Sequence, residues 1–391
     1  MTGKIRLAVV VSHPIQYYAP LYRALAREPA LDLLVLFASR IGQAKTYDPL
    51  MNVDVAWASD LTGGYPHAFL DEADSITRTD FRSVDNPSVT RALARFRPDA
   101  VLLHGYAQKT LLRALYWCAT HRARAILVSD SSFHVSAPGW RRSLKLALAP
   151  PLLRRFGAAL TMGDRSEAHL ASLRYPRKRM FRTPMMIDEG FWRARNADSA
   201  TRAAKRSALG LSEDDFVALC VGKLYAGKRV PDMLEALASL KPGGRRTILL
   251  IAGDGADRAT LEAQAAHLGV AARFLGFQNI DALPDFYLAA DALVHAAEIE
   301  QFGMVALEAA VVGLPLALSD RVGAIGETSI ARPGVNALVY PCGDVAALAA
   351  ALTTLRDDLD RRQAMAAASL TISADYAGPK SVAAVLAAAK R

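Results

Sequence analysis

Three cysteines are too few, and too far apart, to build much. Cys118, Cys220 and Cys342 are odd in number and share no close spacing, which argues against a disulfide framework or a zinc site and fits a reducing compartment. No apolar run approaches the ~20 residues that a membrane-spanning helix needs. The opening Ile5-Arg6-Leu7-Ala8-Val9-Val10-Val11 is short, carries Arg6 and has no small-residue cleavage site after it, so it reads as a buried strand rather than a signal peptide. There is no repeat of short period, which excludes a solenoid. No acidic pair sits at a strand end to hold a metal. Asp358-Leu359-Asp360 has such a spacing but lies in a polar stretch after an amphipathic segment, where a surface position is expected.

What is present is an ordinary globular composition, 52% apolar and 22% charged, over 391 residues, enough for two domains. The net charge of +9 is unevenly spread. The first 195 residues hold 28 Lys+Arg and 16 Asp+Glu; the remainder holds 19 and 22. A basic half is suited to an anionic surface such as phospholipid, a pyrophosphate-linked lipid or nucleic acid. Nucleic acid ranks lowest, because no reading element accompanies the charge.

Apolar runs alternate with amphipathic stretches through both halves. Strands are expected at 5–11, 31–37, 100–104, 125–129 and 158–162, then at 216–221, 247–252, 272–275, 291–295, 315–318 and 337–339. Helices are expected at 19–27, 107–120, 230–239, 257–267, 303–312 and 344–356. This alternation predicts an α/β chain of two doubly wound, Rossmann-like domains with a cleft between them. The polar stretch 193–206 suggests a boundary between a first domain, 1–195, and a second, 196–375, with 376–391 as a terminal helix that returns to the first domain. In such sheets ligands bind beyond the carboxyl ends of the strands.

The segment EIEQFGMVALEA, residues 298–309, follows a strand and opens a helix. Gly303 lets a ligand approach the backbone, and free amides at Met304 and Val305 favour an anion. Glu300 and Glu308 flank that start. They suit hydrogen bonds from sugar hydroxyls, one from a ribose and one from a hexose. A solvated loop carboxylate and a buried helix carboxylate fit the pattern equally when it stands alone. VGKLYAGKR, 221–229, adds Gly222 at a turn and two ammonium groups, Lys223 and Lys228, able to neutralise a diphosphate. Gly253 lies in another glycine-rich strand-to-helix turn. Phe277 and Gln278, after FLG at 274–276, offer a place for a nucleobase.

The ordered set VGKLYAGKR, AGDGADRATLEA, FLGF, EQFGMVALEA, GLPLALSDRVGAIGE and PGVNALVYPCGD resembles family 4 of the retaining glycosyltransferases, of the two-domain GT-B fold, and in particular a bacterial branch. The resemblance is dense over 216–356. It implies that Glu308 holds the donor ribose, that Glu300 contacts a donor-sugar hydroxyl, that the amides after Phe302 contact sugar and phosphate, and that Lys223 and Lys228 occupy the two basic phosphate positions. It departs at Lys223 (usually Arg), at Arg229 (usually Gly) and at Gly323-Ala324 (usually Gly-Gly).

In the first half, SHPIQYY at 12–18 replaces the glycine pair that many family members carry there. His13, Gln16 and Tyr17, with Tyr18 beside it, suit the acceptor side, although packing around a turn explains either tyrosine as well. His104 ends a strand before Gly105; the resemblance implies that it reaches the donor sugar. Asp130 and Ser131 end the next strand and join the acceptor side. The basic amphipathic stretch 140–156 is suited to an anionic headgroup layer, or equally to covering the sheet.

The expected reaction is transfer of a sugar from a nucleotide diphosphate sugar to a hydroxyl of a glycan, lipid-linked or small-molecule acceptor. It retains configuration, uses no metal or other cofactor, and belongs in the cytoplasm or at the inner face of its membrane. Bacterial polysaccharide, lipopolysaccharide or other glycolipid assembly is the expected setting. A sugar phosphorylase, a nucleotide-sugar epimerase and a non-catalytic nucleotide-sugar-binding subunit use the same fold logic. An epimerase converts donor alone, a phosphorylase consumes free phosphate, and a binding subunit turns nothing over.

Overall fold

The computed structural model describes residues 3–43, 46–48, 53–55, 60–130, 149–183, 186–188, 191–192, 199–240, 245–376 and 378–390. The chain forms two compact units. Unit 1 comprises Met1–Thr46, Ser59–Met186 and Tyr376–Arg391; unit 2 comprises Tyr47–Ala58 and Ile187–Asp375.

The strands of unit 1 are β1 (Ile5–Val11), β2 (Leu31–Phe37), β5 (His67–Phe69), β6 (Ala100–His104), β7 (Arg124–Ser129), β8 (Ala158–Thr161) and β9 (Met180–Arg182). β3 (Thr46–Asp48) and β4 (Val53–Val55) pair separately. The seven strands of the main sheet run in the order β5-β2-β1-β6-β7-β8-β9, and every pair is parallel. β1 reads as a near-continuous apolar run because helices cover both faces of the sheet; Leu7 to Val11 are all buried.

Unit 2 repeats the scheme with β10 (Phe216–Val221), β11 (Thr247–Ala252), β12 (Ala272–Gly276), β13 (Ala292–His295), β14 (Leu316–Ser319) and β15 (Ala337–Tyr340). Its six parallel strands run β12-β11-β10-β13-β14-β15. In each sheet the first strand lies inside, the next ones wind out to one side, and the chain then crosses to the other. The reversal falls between β1 and β6 in unit 1 and between β10 and β13 in unit 2. Connections leaving neighbouring strands diverge at such a switch point and open a crevice there.

Two segments differ from the sequence reading. The polar stretch expected as a linker is in part the helix Ser199–Ala208. Its Arg206 is fully buried and donates to the carbonyls of Ala289, Ser212 and Asp215, with Asp291 alongside. Charge in the sequence thus conceals an anchor whose donors satisfy buried carbonyls. The basic stretch lies outside the described residues over 140–148. In its remainder Ala149, Leu153 and Phe156 enter the core of unit 1, while Arg154 and Arg155 stay exposed. Among the described residues no helix is long and apolar enough to cross a membrane.

The helix Gly378–Ala389 packs within unit 1 against β7, β8, β9 and the helix Ala19–Ala26. It buries Val385 and Ala388, and Arg124 Nε donates to the Ala388 carbonyl at 2.7 Å.

Candidate functional site

In unit 2 the crevice is built by the connections after β10 and β13. β10 ends at Val221, and Gly222 turns the chain at φ +144°. A Cβ on Gly253 would lie 1.8 Å from the Gly222 carbonyl oxygen, so the turns after β10 and β11 are in backbone contact. Gly253, read from the sequence as part of a glycine-rich strand-to-helix turn, has this packing task. The short 3-10 turn Ala226–Lys228 is tied to the other connection, since the Glu298 amide donates to the Gly227 carbonyl at 2.9 Å.

This brace sets Lys228 against Glu300, Nζ to Oε2 at 2.5 Å. His295, the last residue of β13, donates from Nε2 to the same oxygen at 3.0 Å. Burial pushes the Glu300 carboxyl up, but the hydrogen bond from His295 and the Lys228 ammonium outweigh it and hold the group at about 2. His295 is lowered, by burial first and then by the Lys228 charge, so it donates as a neutral imidazole. Among the described residues nothing donates to Glu300 Oε1. Lys223 lies half-buried on the same connection as Lys228 and is not among Glu300's partners.

The backbone after Glu300 is gripped by the turn after β14. The Gly323 amide donates to the Glu300 carbonyl at 3.1 Å, and a Cβ on Gly323 would lie 1.7 Å from the Gln301 carbonyl oxygen. The Gly323-Ala324 departure is thereby explained: the first position meets backbone and needs glycine, whereas Ala324 fits its buried place. Gly303, at φ +94°, starts the helix Met304–Val311. Phe302 is buried, and Met304 and Val305 form the half-buried first turn, where amides lack helical partners.

Glu308 lies further along that helix, 1% exposed, and accepts from Tyr287 Oη at 2.7 Å. The two carboxylates therefore differ. The Glu300 side chain is 20% exposed, while Glu308 is closed from solvent in this structure. Phe277 and Gln278 follow β12, at the edge of the sheet and two strands from β10. Gln278 Nε2 donates to the nearby Leu275 carbonyl.

Unit 1 has its own pocket at the β1/β6 switch point, lined among others by Ser12, Ile15, Tyr18, His104, Tyr106 and Asp130. His104 ends β6 as His295 ends β13. Its Nε2 shares a hydrogen bond with Tyr22 Oη at 2.8 Å, and the Tyr18 ring stands edge-on to it at 4.3 Å. Burial, and secondarily the charge of His13, lower His104 to about 3, so it is neutral at physiological pH. Burial raises the Asp130 carboxyl. His13 Nδ1 is hydrogen-bonded to Ser12 Oγ, and burial lowers it. His13, Gln16 and Tyr17 do not line this pocket; of the two tyrosines, Tyr18 does. Ser131 lies outside the described residues.

The structure brings Lys228 and Glu300 together, with His295, which the sequence reading did not single out as a site residue. The signal was available: a histidine ending a buried strand beside the switch point, the same pattern that singled out His104. Among the described residues no three His, Cys, Asp or Glu side chains gather as metal ligands.

Two Rossmann-like parallel-sheet domains with these switch-point connections define a GT-B fold. Anabaena Alr3699/HepE, solved in complex with UDP, superposes with a TM-score of 0.74 at 17% identity over 98% of both chains. Residues 201–371 match the family model Glycosyl transferases group 1. Over 218 residues the chain is 29% identical to an alpha-D-kanosaminyltransferase of Streptomyces kanamyceticus, covering 55% of each. Over 191 residues it is 38% identical to a glycogen synthase of Mycobacterium tuberculosis, covering 46% of this chain and 44% of that one. The chain thus spans about half the length of the curated relatives it matches.

Proposed function

We propose that this chain is a retaining glycosyltransferase that moves a sugar from a nucleotide diphosphate sugar to an acceptor hydroxyl. The observation that carries the reading is the Lys228–Glu300 pair at the switch point of unit 2. In this structure the two groups neutralise each other. A donor offers each a better partner: phosphate oxygens for the ammonium, a sugar hydroxyl for the carboxylate. Lys223 and the amides of the Met304 turn supply further positive potential for the departing diphosphate. Glu308 takes the ribose once Tyr287 yields, and Phe277 and Gln278 flank the base. The names of the matched relatives, two of them sugar transferases or synthases, and the UDP in the Anabaena structure support a nucleotide-sugar donor.

The pocket beside His104 takes the acceptor, with Asp130 and neutral His104 accepting or donating hydrogen bonds to its hydroxyls. Transfer requires that this acceptor meet the donor during turnover. The acceptor oxygen bonds to the anomeric carbon on the face from which the diphosphate leaves. The hydroxyl proton passes to a donor phosphate oxygen, so configuration is kept and no enzyme nucleophile is used. The lysines and amides stand where a metal would otherwise balance charge, so activity should survive EDTA. The setting we favour is bacterial polysaccharide or glycolipid assembly on the cytoplasmic side.

A thermal-shift panel of UDP-, GDP-, ADP- and TDP-sugars tests the reading. One base should raise the melting temperature with concentration, and its sugar form should exceed the bare nucleotide. Product analysis then separates transfer from its rivals. Conversion of donor without acceptor would make the chain an epimerase, and dependence on free phosphate a phosphorylase. Binding without turnover against an acceptor panel would make it a binding subunit.

A further inference from the structure

We propose that His295 is a positioning residue, which fixes the rotation of the Glu300 carboxylate so that Oε1 stays turned toward a ligand hydroxyl. This rests on the reading of Glu300 as a ligand of the donor sugar.

His295 is 2% exposed, its backbone is held in the sheet by pairing with Leu318, and its ring is almost closed to solvent. It donates to Glu300 Oε2 at 3.0 Å, and Lys228 reaches the same oxygen at 2.5 Å from another connection. A carboxylate held on one oxygen from two directions cannot rotate without breaking both bonds. Oε1 is left with no donor among the described residues, on a side chain 20% exposed. When a diphosphate draws Lys228 away, His295 becomes the remaining hold. The histidine therefore matters most in the liganded state, the one from which transfer proceeds.

The test compares His295→Leu with His295→Gln, whose amide restores a donor at a similar reach. His295→Leu should lower kcat/KM for the donor sugar about tenfold to a hundredfold. Affinity for the bare nucleoside diphosphate should stay within about twofold, because that ligand does not use Oε1. His295→Gln should recover most of the loss. A merely structural role would weaken nucleotide and donor alike and would not be rescued. A second readout needs no turnover: carbon-13 NMR of labelled glutamate, with Glu300 assigned by its loss in Glu300→Gln. Lys228 and His295 are the charged or titratable groups that face this carboxyl, so its titration should move up in the Leu variant and return in the Gln variant. Wild-type transfer by His295→Leu, a Gln variant as poor as Leu, or an unmoved titration would overturn the proposal. Failure of wild-type protein to bind any donor would instead overturn the functional reading, and the NMR comparison would still decide whether His295 holds Glu300.

Discussion

The Lys228–Glu300 pair makes a stability prediction that can be tested without substrate. Lowering of the Glu300 carboxyl from 4.5 to about 2 corresponds to a folded-state preference for the carboxylate of about 3 kcal/mol. The side chains are only 16% and 20% exposed, so solvent screens the pair weakly. Lys228→Met strands a buried carboxylate, and Glu300→Gln strands a buried ammonium. Each single change should therefore destabilise the protein by about 2–4 kcal/mol at pH 7. The double variant removes both charges and should lose much less than the sum, leaving a coupling of about 2–3 kcal/mol. Urea denaturation of the four proteins gives the cycle. The pH dependence gives an independent check. Because the folded carboxyl is depressed, its contribution is complete above about pH 4.5 and is lost as pH falls toward about 2. The gap between wild type and Glu300→Gln should thus narrow from pH 5 to pH 3. Additivity within about 0.5 kcal/mol, or a gap that stays constant over that range, would refute the electrostatic account.

Other outcomes follow from the same geometry. Gly253→Ala places a Cβ 1.8 Å from the Gly222 carbonyl, so the backbone must move; we expect a loss of about 1–3 kcal/mol in thermal or urea unfolding, with weakened donor binding in titration calorimetry. Gly323→Ala drives into the Gln301 carbonyl and should displace Glu300, lowering donor turnover, whereas Ala324→Gly should leave turnover within about twofold. His104 is lowered to about 3, so the fold favours its neutral form; stability tied to it is present above about pH 6.5 and falls as pH drops toward about 3, and His104→Gln should flatten that part of the curve in calorimetry.

Most of the wound architecture was readable because its strands are apolar runs of four to seven residues bounded by turns, as in β1, β10 and β11. The edge strands β5 and β9 escaped notice because three residues carry no periodicity. The helix Ser199–Ala208 escaped because its anchors, Arg202 and Arg206, reach the carbonyls of Leu288, Ala289 and Ala290, distant in sequence, and no local pattern reveals these. The site divides in the same way. Lys228 and Glu300 were legible as chemistry-bearing residues on switch-point connections. His295 ends its strand as His104 does, but its hydrogen bond to Glu300 is visible only in coordinates. Tyr17 and Tyr18 could not be told apart on a tight turn, where only coordinates decide which ring enters the pocket. Arg229 shows what a departure costs: it takes φ +50°, a backbone that favours glycine, and two hydrogen bonds to Asp232 help hold it there.

The helix Gly378–Ala389 carries a consequence for synthesis. The ribosome makes the strands of unit 1 first, yet the helix that covers β7, β8 and β9 emerges after all of unit 2. The half begun later can therefore finish folding earlier, while its predecessor waits with one flank of its sheet bare. Over that interval a nascent chain is most exposed to chaperones and to wrong pairing, and a stop codon just after residue 375 would prolong the vulnerable state indefinitely.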